Sequence, residues 1–562
     1  MNVNSTINLV SKLLVVGTPF VTVFLITGMV SDPVNATKLA VGGGLAGGLT
    51  VGLMALWRQV WTNNRTIVSA VALFVLAGFS SVVNSKAPFD QTFYGVSGRN
   101  TGLLTYLILC ICLLAGLILR ETKFFAGLLN GLLVAFAINV IYCGWVLAYG
   151  DFISWSNPYK NILGLFGNPN FISAFLGMGI SATFSLLILG SKSTIWKIAG
   201  LLFSGLAFYE ILKSHAIQGL VVTVGGLTVA LFYFVRARLH RSYITFGYIG
   251  ASIFCGIMAV LGTLQIGPLD FLYKKSVSLR GSYWNSGIEM GKSDLLAGVG
   301  MDTYGDWYRR MRPDVALIDT PSIHTMTNAS HNVIIDFFAF GGLPLLLSYL
   351  AILLCGAVAI IKVTARSKNY DPVFVALTSA WACYQAQSII SINQIGLAIW
   401  GWVLTGALIS YEQITRTNFE THSQGSKRKL ESKSSPFISP SLLVSFGVLA
   451  GLFFAYAPMS ADSKYFLALR TGDAKQVEIA LKPSFLNPSD SFRYAQAVET
   501  FHQSNLDELA YKYAKIGTEF NPDFFEAWRH LYQLPTSSPE EKALALSNMK
   551  RLDPRNPDVV NN

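Results

Sequence analysis

Charged residues are scarce in this chain of 562 residues, because only 13% are Asp, Glu, Lys or Arg while 52% are hydrophobic. Soluble domains carry about 25% charged residues. The deficit is concentrated in windows without any charge, namely 66–85, 161–191, 242–269 and 372–411. A helix needs roughly 20 apolar residues to cross a bilayer, and the longest window can hold two crossings. This excludes a soluble enzyme, a DNA-binding protein and a secreted disulfide scaffold.

Metal-binding and nucleotide-binding motifs are also missing. The chain has no Asp-x-Asp, no His-Glu-x-x-His and no cysteine cluster, and the glycines of "VGGGLAGGL" favour close helix packing over a nucleotide loop. We therefore expect no metal and no cofactor. The six cysteines lie inside apolar segments as small core residues: Cys110, Cys112, Cys143, Cys255, Cys355 and Cys383.

The apolar segments predict an all-α fold, a polytopic transmembrane bundle with a long outer-face loop and a small C-terminal helical-repeat domain. We expect about 13 spans, near residues 13–31, 39–57, 66–84, 100–119, 124–148, 161–190, 196–213, 215–235, 242–266, 333–361, 373–391, 395–412 and 437–458.

The distribution of basic residues predicts the topology. The net charge is +11, but from Ala461 onward there are 12 Lys/Arg against 14 Asp/Glu, so the excess belongs to the membrane part and does not indicate nucleic acid. With the N-terminus in the cytoplasm, every short inner loop is basic, as the positive-inside rule requires. The loop 267–332 and the tail then lie outside.

Four regions follow from these patterns: a transmembrane domain 1–417 with its outer loop 267–332, a cytoplasmic polar linker 418–436, a last span 437–458 and a soluble tail 459–562. The tail has apolar residues at helical spacing and several Asn-Pro steps. It resembles tetratricopeptide repeats, with a plain bundle of helical hairpins as the alternative.

The outer loop concentrates arginine. Arg280, Arg309, Arg310 and Arg312 suit phosphate, because a guanidinium can donate two hydrogen bonds at once. For the last three, anchoring to lipid headgroups is an equal alternative. His331, at the start of span ten, can accept a proton from a hydroxyl near pH 7. Helix capping is the alternative for His331, and His324 is a weaker candidate.

Three further outer elements carry polar residues. Arg99 lies at the mouth of span four. Asn168 and Asn170 belong to a Gly-Asn-Pro-Asn step whose amides suit anions or sugars, unless it is only a helix-start turn. Lys213 and Glu210 are three residues apart, so they either neutralise each other or form an ionisable pair with a function.

These motifs occur in a characteristic order: Gly95-x-x-x-Arg99-x-x-Gly102, Gly-Asn-Pro-Asn, Arg280-x-x-x-Trp284 with Gly298-Val299-Gly300, and His331-Asn332 with Gly341-Gly342-Leu343. From about residue 90 to 412 the chain resembles the O-antigen ligase and polymerase superfamily, particularly members with a tetratricopeptide-like tail. One position departs from the pattern. Many ligases have Ser-Arg-Gly at the entry of span eight, where this chain has "KSHAIQGL", with Lys213 and Gln218 as the nearest polar residues.

The resemblance implies a metal-independent glycosyltransferase in the bacterial cytoplasmic membrane. It would move a preassembled glycan from a polyprenyl-diphosphate carrier to an acceptor lipid, polymer or protein, which the tail could recruit. Arg280 would hold the diphosphate and His331 would act on the acceptor hydroxyl. We expect substrate contacts from eight further residues: Arg99, Lys213, Gln218, Trp284, Arg309, Arg310, Asn168 and Asn170.

Two other functions remain open at this point. A polymerase of the same superfamily would join repeat units of a surface polysaccharide. A transporter of lipid-linked sugars would show internal repeats and charges at mid-membrane depth. The ionisable residues cluster instead at the outer face, which favours chemistry there.

Overall fold

The computed structural model describes residues 3–154, 157, 161–239, 241–263, 266–270, 275–320, 322–421 and 439–561. Within these ranges the chain is helical and contains no strand beyond one isolated bridge between Ser484 and Asn487. The all-α prediction is therefore confirmed for the described chain.

The membrane part contains seventeen α-helices in the described ranges. In chain order, α1 to α17 are Val3–Val23, Asn35–Asn63, Arg65–Asn84, Phe89–Tyr94, Leu103–Gly116, Thr122–Tyr149, Pro169–Thr183, Thr194–Lys213, Ile217–Leu239, Ser242–Thr263, Lys275–Ser293, Tyr304–Met311, Val315–Asp319, Val333–Arg366, Pro372–Ile390, Ile395–Thr421 and Pro440–Ala455. A 3₁₀ turn Gly164–Phe166 precedes α7, and a π-helical segment Phe184–Ile188 extends it.

Eleven described helices are long and apolar enough to cross a membrane. A twelfth span results if α17 and the following helix Ala457–Thr471 (α18), bent by 48°, form one span. The helix Leu103–Gly116 is apolar but shorter, so the count of thirteen stays a prediction. Helix α16 continues to Thr421. The rest of the predicted linker 418–436 lies outside the described residues.

The loops divide between two ends of the bundle. At one end, which we call the basic end, the Gln413 amide donates to Asn64 Oδ1 over 2.7 Å and Arg366 pairs with Glu412 over 2.5 Å. At the other end, which we call the site end, the loops 24–34, 85–102 and 294–332 contact the tail. Which compartment each end faces stays a prediction.

Helix α14 is broken at Gly341 and Gly342, and the loop after α11 pairs with the break. Gly342 has φ +61°, which favours glycine. The Val299 and Gly300 amides donate to the Ala339 and Phe340 carbonyls over 2.9 and 3.1 Å, and the Leu343 amide donates to Leu295 O over 2.8 Å. Backbone groups freed inside a membrane protein need such partners. The two glycine motifs of the sequence are thus one structural unit.

Glycines also join the last span to the bundle. A Cβ on Gly47 of α2 would lie 2.1 Å from the Gly447 carbonyl oxygen of α17, and one on Gly43 would lie 2.7 Å from that of Gly451. Small residues let helix backbones approach closely in membranes. The close packing predicted for the glycines of span two is confirmed.

The tail forms its own hydrophobic core from short helices. Helices α19 to α24 are Ala474–Ala480, Ser491–Gln503, Asp507–Phe520, Phe525–Gln533, Pro539–Leu552 and Pro557–Val560. The Asn-Pro steps at Asn487, Asn521 and Asn556 lie 34 and 35 residues apart and precede α20, α22 and α24. The tail is therefore helical with a recurring Asn-Pro step.

Candidate functional site

His331 is held by the residues on either side of it. The Ser330 amide and hydroxyl both donate to Asp336 Oδ1 over 2.8 Å. The Asn332 side chain caps α14 by accepting from the Ile334 and Ile335 amides over 3.0 and 3.2 Å. His331 itself has φ +60°, which is uncommon for a residue with a side chain. Such strain is found where neighbours fix the backbone, often at functional sites. Asn332, and not His331, is thus the capping residue.

The imidazole of His331 lies in a basic and aromatic environment. Its ring stacks with Tyr283 of α11 at a centroid distance of 5.8 Å. Its Nδ1 atom is buried and has no hydrogen-bond partner among the described residues. Burial, together with the positive charges of Arg280 and Arg99, lowers the pKa of His331 to about 3. The imidazole is therefore neutral at physiological pH.

Helix α11 presents Arg280, Tyr283 and Trp284 on one face, since residues three and four apart are neighbours on a helix. Two glycines bring α11 close to α14. A Cβ on Gly287 would lie 2.6 Å from Ile335, and one on Gly291 would lie 2.5 Å from the Phe338 ring. Burial lowers the pKa of Arg280 from its ordinary value, but a guanidinium stays charged in proteins. Trp284 Nε1 is buried without a partner in the described chain.

Arg99 reaches the site on the loop between α4 and α5, and Asp302 shapes that loop. Asp302 Oδ2 accepts from the Val96 amide over 2.8 Å, and its Oδ1 accepts from the Thr101 hydroxyl over 2.9 Å. A Cβ on Gly95, which has φ +90°, would lie 2.4 Å from the Thr101 amide nitrogen. Gly95 and Asp302 therefore fold this loop tightly around Arg99.

Neither guanidinium beside His331 forms an ion pair in the described ranges, although Arg99 lies near enough to Asp336 for their charges to interact. No carboxylate in these ranges lies within 4.0 Å of Arg99 or Arg280, and Arg99 Nε is buried without an acceptor. Unpaired cations with free donors are what a bound diphosphate requires, since charge-assisted bonds to phosphate are strong. The described residues also contain no group of three or more His, Cys, Asp or Glu that could hold a metal ion.

Arg309, Arg310 and Arg312, in the segment between α11 and α14, have carboxylate partners in the tail. Arg309 pairs with Glu526 over 2.8 Å and with Asp553 over 3.3 Å. Arg310 pairs with Asp523 over 3.3 Å, and Arg312 with Asp553 over 2.6 Å. These ion pairs engage Arg309 and Arg310, for which substrate contacts are predicted from the sequence, and any such contact stays a prediction. The structure gives these arginines a docking role.

Asn168 and Asn170 form a helix start. Asn168 Oδ1 accepts from the Asn170 amide over 2.8 Å and so caps α7, with Pro169 in the first turn. The carbonyl of Leu165 in the preceding turn accepts from Lys38 Nζ over 2.7 Å. This is the geometry of a helix-start turn, the alternative raised by the sequence, and any sugar contact of these asparagines stays a prediction.

Lys213, Glu210 and Gln218 do not form a compact cation site. Lys213 is exposed, and its ammonium lies 5.5 Å from the Tyr209 ring centroid, over the ring face. Both carboxyl oxygens of Glu210 and both amide atoms of Gln218 are buried without a hydrogen-bond partner in the described part of the chain. The possible Lys213–Glu210 ion pair is therefore not formed. Burial without a partner is costly for such groups, and the substrate contacts of Lys213 and Gln218 stay predictions.

Sequence reasoning missed three residues that shape the site: Tyr283, Asp302 and Asp336. Tyr283 could have been found from its position three residues after Arg280 on a helix. Asp336 accepts from Ser330, only six residues before it, so its signal was the local Ser-x-Asn cap segment. Asp302 offered no local signal, because it accepts hydrogen bonds from a segment about 200 residues earlier in the chain.

No family model matches this chain, and no curated protein matches it. The geometry of the site is therefore the main support for any function.

Proposed function

We propose that this protein is a metal-independent membrane glycosyltransferase of the O-antigen ligase type. It transfers a preassembled glycan from a polyprenyl-diphosphate carrier to an acceptor hydroxyl. The observation that supports this most is the convergence of two unpaired guanidiniums, Arg99 and Arg280, on a fixed and neutral imidazole, His331. Such a site can bind an anion and accept a proton at the same place.

In this proposal the diphosphate binds between Arg99 and Arg280. Transfer forms a bond from the acceptor oxygen to the anomeric carbon and breaks the bond from that carbon to the diphosphate oxygen. The diphosphate leaves with the electron pair, and the guanidiniums stabilise its charge in a site that partly excludes water. The acceptor proton passes to His331.

The bound donor also makes His331 a better base. Burial and the charges of Arg280 and Arg99 lower the pKa of the free imidazole, and a weak base is a poor proton acceptor near neutral pH. A diphosphate anion between the two arginines offsets their charges. The pKa of His331 therefore rises when the donor is bound, which couples base strength to donor binding.

The finer architecture belongs to the same proposal. Thirteen spans would place the site end and the tail outside the bacterial cytoplasmic membrane, in agreement with the basic loops at the opposite end. The Asn-Pro steps 34 and 35 residues apart support tetratricopeptide-like hairpins, since that repeat is about 34 residues long. A polymerase would use the same chemistry with a growing glycan as acceptor.

The test uses purified full-length protein in lipid nanodiscs with a synthetic polyprenyl-diphosphate glycan that carries a fluorescent label. Lipid, polysaccharide and protein acceptors are supplied separately in excess EDTA. We expect label on one acceptor class and free polyprenyl diphosphate in equal amount. Turnover that stops in EDTA and returns with Mg²⁺, or no label on any acceptor, would overturn the proposal.

A further inference from the structure

The tail contacts the loop that carries Arg99. The Asp90 carboxylate accepts from the Ser489 amide over 2.7 Å, and the Ser97 amide donates to Asp490 Oδ2 over 3.3 Å. Between them, the Gln91 side chain accepts from Asn521 over 3.2 Å. Ser97 lies two residues before Arg99, so the tail fixes the backbone next to the guanidinium.

The tail also holds the segment that leads to His331. Asp553 is fully buried and accepts from Arg309 and Arg312, whose side chains are 4% and 1% exposed. The same two guanidiniums donate onward to backbone carbonyls, Arg312 to Ile323 over 2.6 Å and Arg309 to His324 over 3.4 Å. One carboxylate of the tail thus anchors the chain seven residues before His331.

A third contact strengthens this second attachment. Arg555 donates to the carbonyls of Arg310 and Arg312 over 3.0 and 2.8 Å and pairs with Asp314 over 2.9 Å. The two attachments lie at the ends of different tail helices, with Asp490 at the start of α20 and Asp553 at the end of α23. The tail therefore bridges the loop that carries Arg99 and the segment that leads to His331.

We propose that the C-terminal tail is a clamp that sets the distance between Arg99 and His331, with Asp490 and Asp553 as positioning residues. Its role in transfer rests on the proposed function above. The clamp itself does not depend on the proposed function, because it concerns only which segments the tail holds in place. The tail is then part of the site, beyond any role in recruiting an acceptor.

The two attachments have separable consequences. Loss of the Asp553 attachment displaces the base, which lowers kcat, since misplacement of a catalytic group by about 1 Å can cost roughly 10²-fold in rate. Loss of the Asp490 attachment displaces the loop of Arg99, which raises KM for the lipid donor. A tail that only stabilised the protein would affect both constants alike.

The test compares the full-length variants Asp553→Asn and Asp490→Asn with wild type by hydrogen–deuterium exchange and by transfer kinetics. Both substitutions keep the side-chain size, and Asn still caps α20 at position 490. Glu478→Gln is the matched control, because Glu478 pairs with Lys512 inside the tail over 2.6 Å. Arg555→Gln is a milder second variant, since Arg555 is 42% exposed.

For Asp553→Asn and Arg555→Gln we expect faster exchange of the amides in 322–332 and a lower kcat, about tenfold or more for Asp553→Asn. For Asp490→Asn we expect faster exchange in 95–102 and a higher KM. Exchange in both segments indistinguishable from that of Glu478→Gln would overturn the clamp, whatever the kinetics. Altered exchange in a protein without transfer activity would keep the clamp and reject the proposed function.

Discussion

Two groups of arginines lie at the same end of this molecule, and they differ in what surrounds them. Arg309 and Arg312 are buried against Glu526 and Asp553 of the tail. Arg99 and Arg280 have no carboxylate within 4.0 Å in the described chain and stand beside a neutral imidazole. A guanidinium whose charge is already matched holds the protein together. A guanidinium that forms no ion pair keeps its donors available for a ligand.

This difference cannot be predicted from residue type, because all of these arginines except Arg99 lie in the one segment 267–332 that the sequence predicts to be a loop. It depends on carboxylates more than 200 residues away along the chain, since Arg309 and Asp553 are 244 positions apart. The comparison therefore predicts opposite effects of substitution in the two groups.

The largest effect is expected in the unpaired group. His331→Ala should lower transfer by about 10²–10⁴ through loss of the base, and Arg280→Ala by about 10²–10³ through loss of charge stabilisation. Both proteins should unfold at the wild-type temperature. Arg280→Lys should recover only part of the rate, because an ammonium lacks the two-pronged fork. Transfer rates and thermal unfolding at matched protein levels check this, and near-wild-type turnover by His331→Ala would make His324 the next candidate.

The paired group should respond in stability. Arg312→Ala removes one of the two cations that pair with the fully buried Asp553 in the described chain. Because Arg309 remains, the cost should be about 1.5–3 kcal/mol, the contribution of a hydrogen bond to a charged group, and less than that of a fully uncompensated buried charge. Limited proteolysis should then cut the tail much faster. Lys512→Ala, which breaks the exposed Lys512–Glu478 pair, is the control and should cost under about 1 kcal/mol. Equal resistance of Arg312→Ala and wild type would contradict the docking role.

The pH dependence of transfer gives a second test of the role of the arginines beside His331. The pKa of the free His331 is lowered to about 3, so the neutral form persists far below pH 6.5 and kcat/KM should be flat from about pH 6 upward. The acid limb of kcat should lie at higher pH, because kcat reports the donor complex, in which the diphosphate offsets Arg280 and Arg99. Profiles of both constants test this. An acid limb of kcat at or below that of kcat/KM would reject the coupling of base strength to donor binding.

The smallest effect concerns Asp306, at the junction of α12, α4 and the tail. Burial raises the pKa of Asp306 to about 7, and the negative charge of Asp523 adds to the rise. The Gln91 and Asn521 amides donate to Asp306 over 2.9 and 3.2 Å. These hydrogen bonds and the charge of Arg310 offset only part of the rise. An acid with a raised pKa binds its proton more tightly when folded, so stability falls as pH rises from about 4 to 7.

Asp306→Asn should remove this pH dependence and stabilise tail docking at pH 8 by roughly 1–4 kcal/mol, at about 1.4 kcal/mol per pKa unit. Thermal unfolding of both proteins at pH 5 and pH 8 measures the change. A variant less stable than wild type at pH 8, where wild-type Asp306 is ionised, would contradict the raised pKa of Asp306.

The helical architecture could be predicted from the sequence, because membrane helices need long apolar segments that a local pattern reveals. The prediction misplaced some ends: α1 spans Val3–Val23 where 13–31 was predicted, since polar residues such as Asn4 and Thr6 join the helix. The sequence also predicted Arg99, Arg280 and His331 as site residues, because each lies next to a glycine or capping motif that is recognisable by itself. The partners of Arg309 and Arg310 and the role of Asp302 come from tertiary packing, which local patterns do not encode.

The central claim is that the unpaired arginines bind the diphosphate of a lipid carrier and the paired ones do not. Isothermal titration of the protein in nanodiscs with polyprenyl diphosphate measures this without an acceptor. Hydrogen bonds to charged groups contribute about 1.5–3 kcal/mol, so Arg280→Ala and Arg99→Ala should each weaken binding roughly 10- to 100-fold, while Arg310→Ala binds like wild type. Wild-type affinity in Arg280→Ala, or an equal loss in Arg310→Ala, would contradict the account.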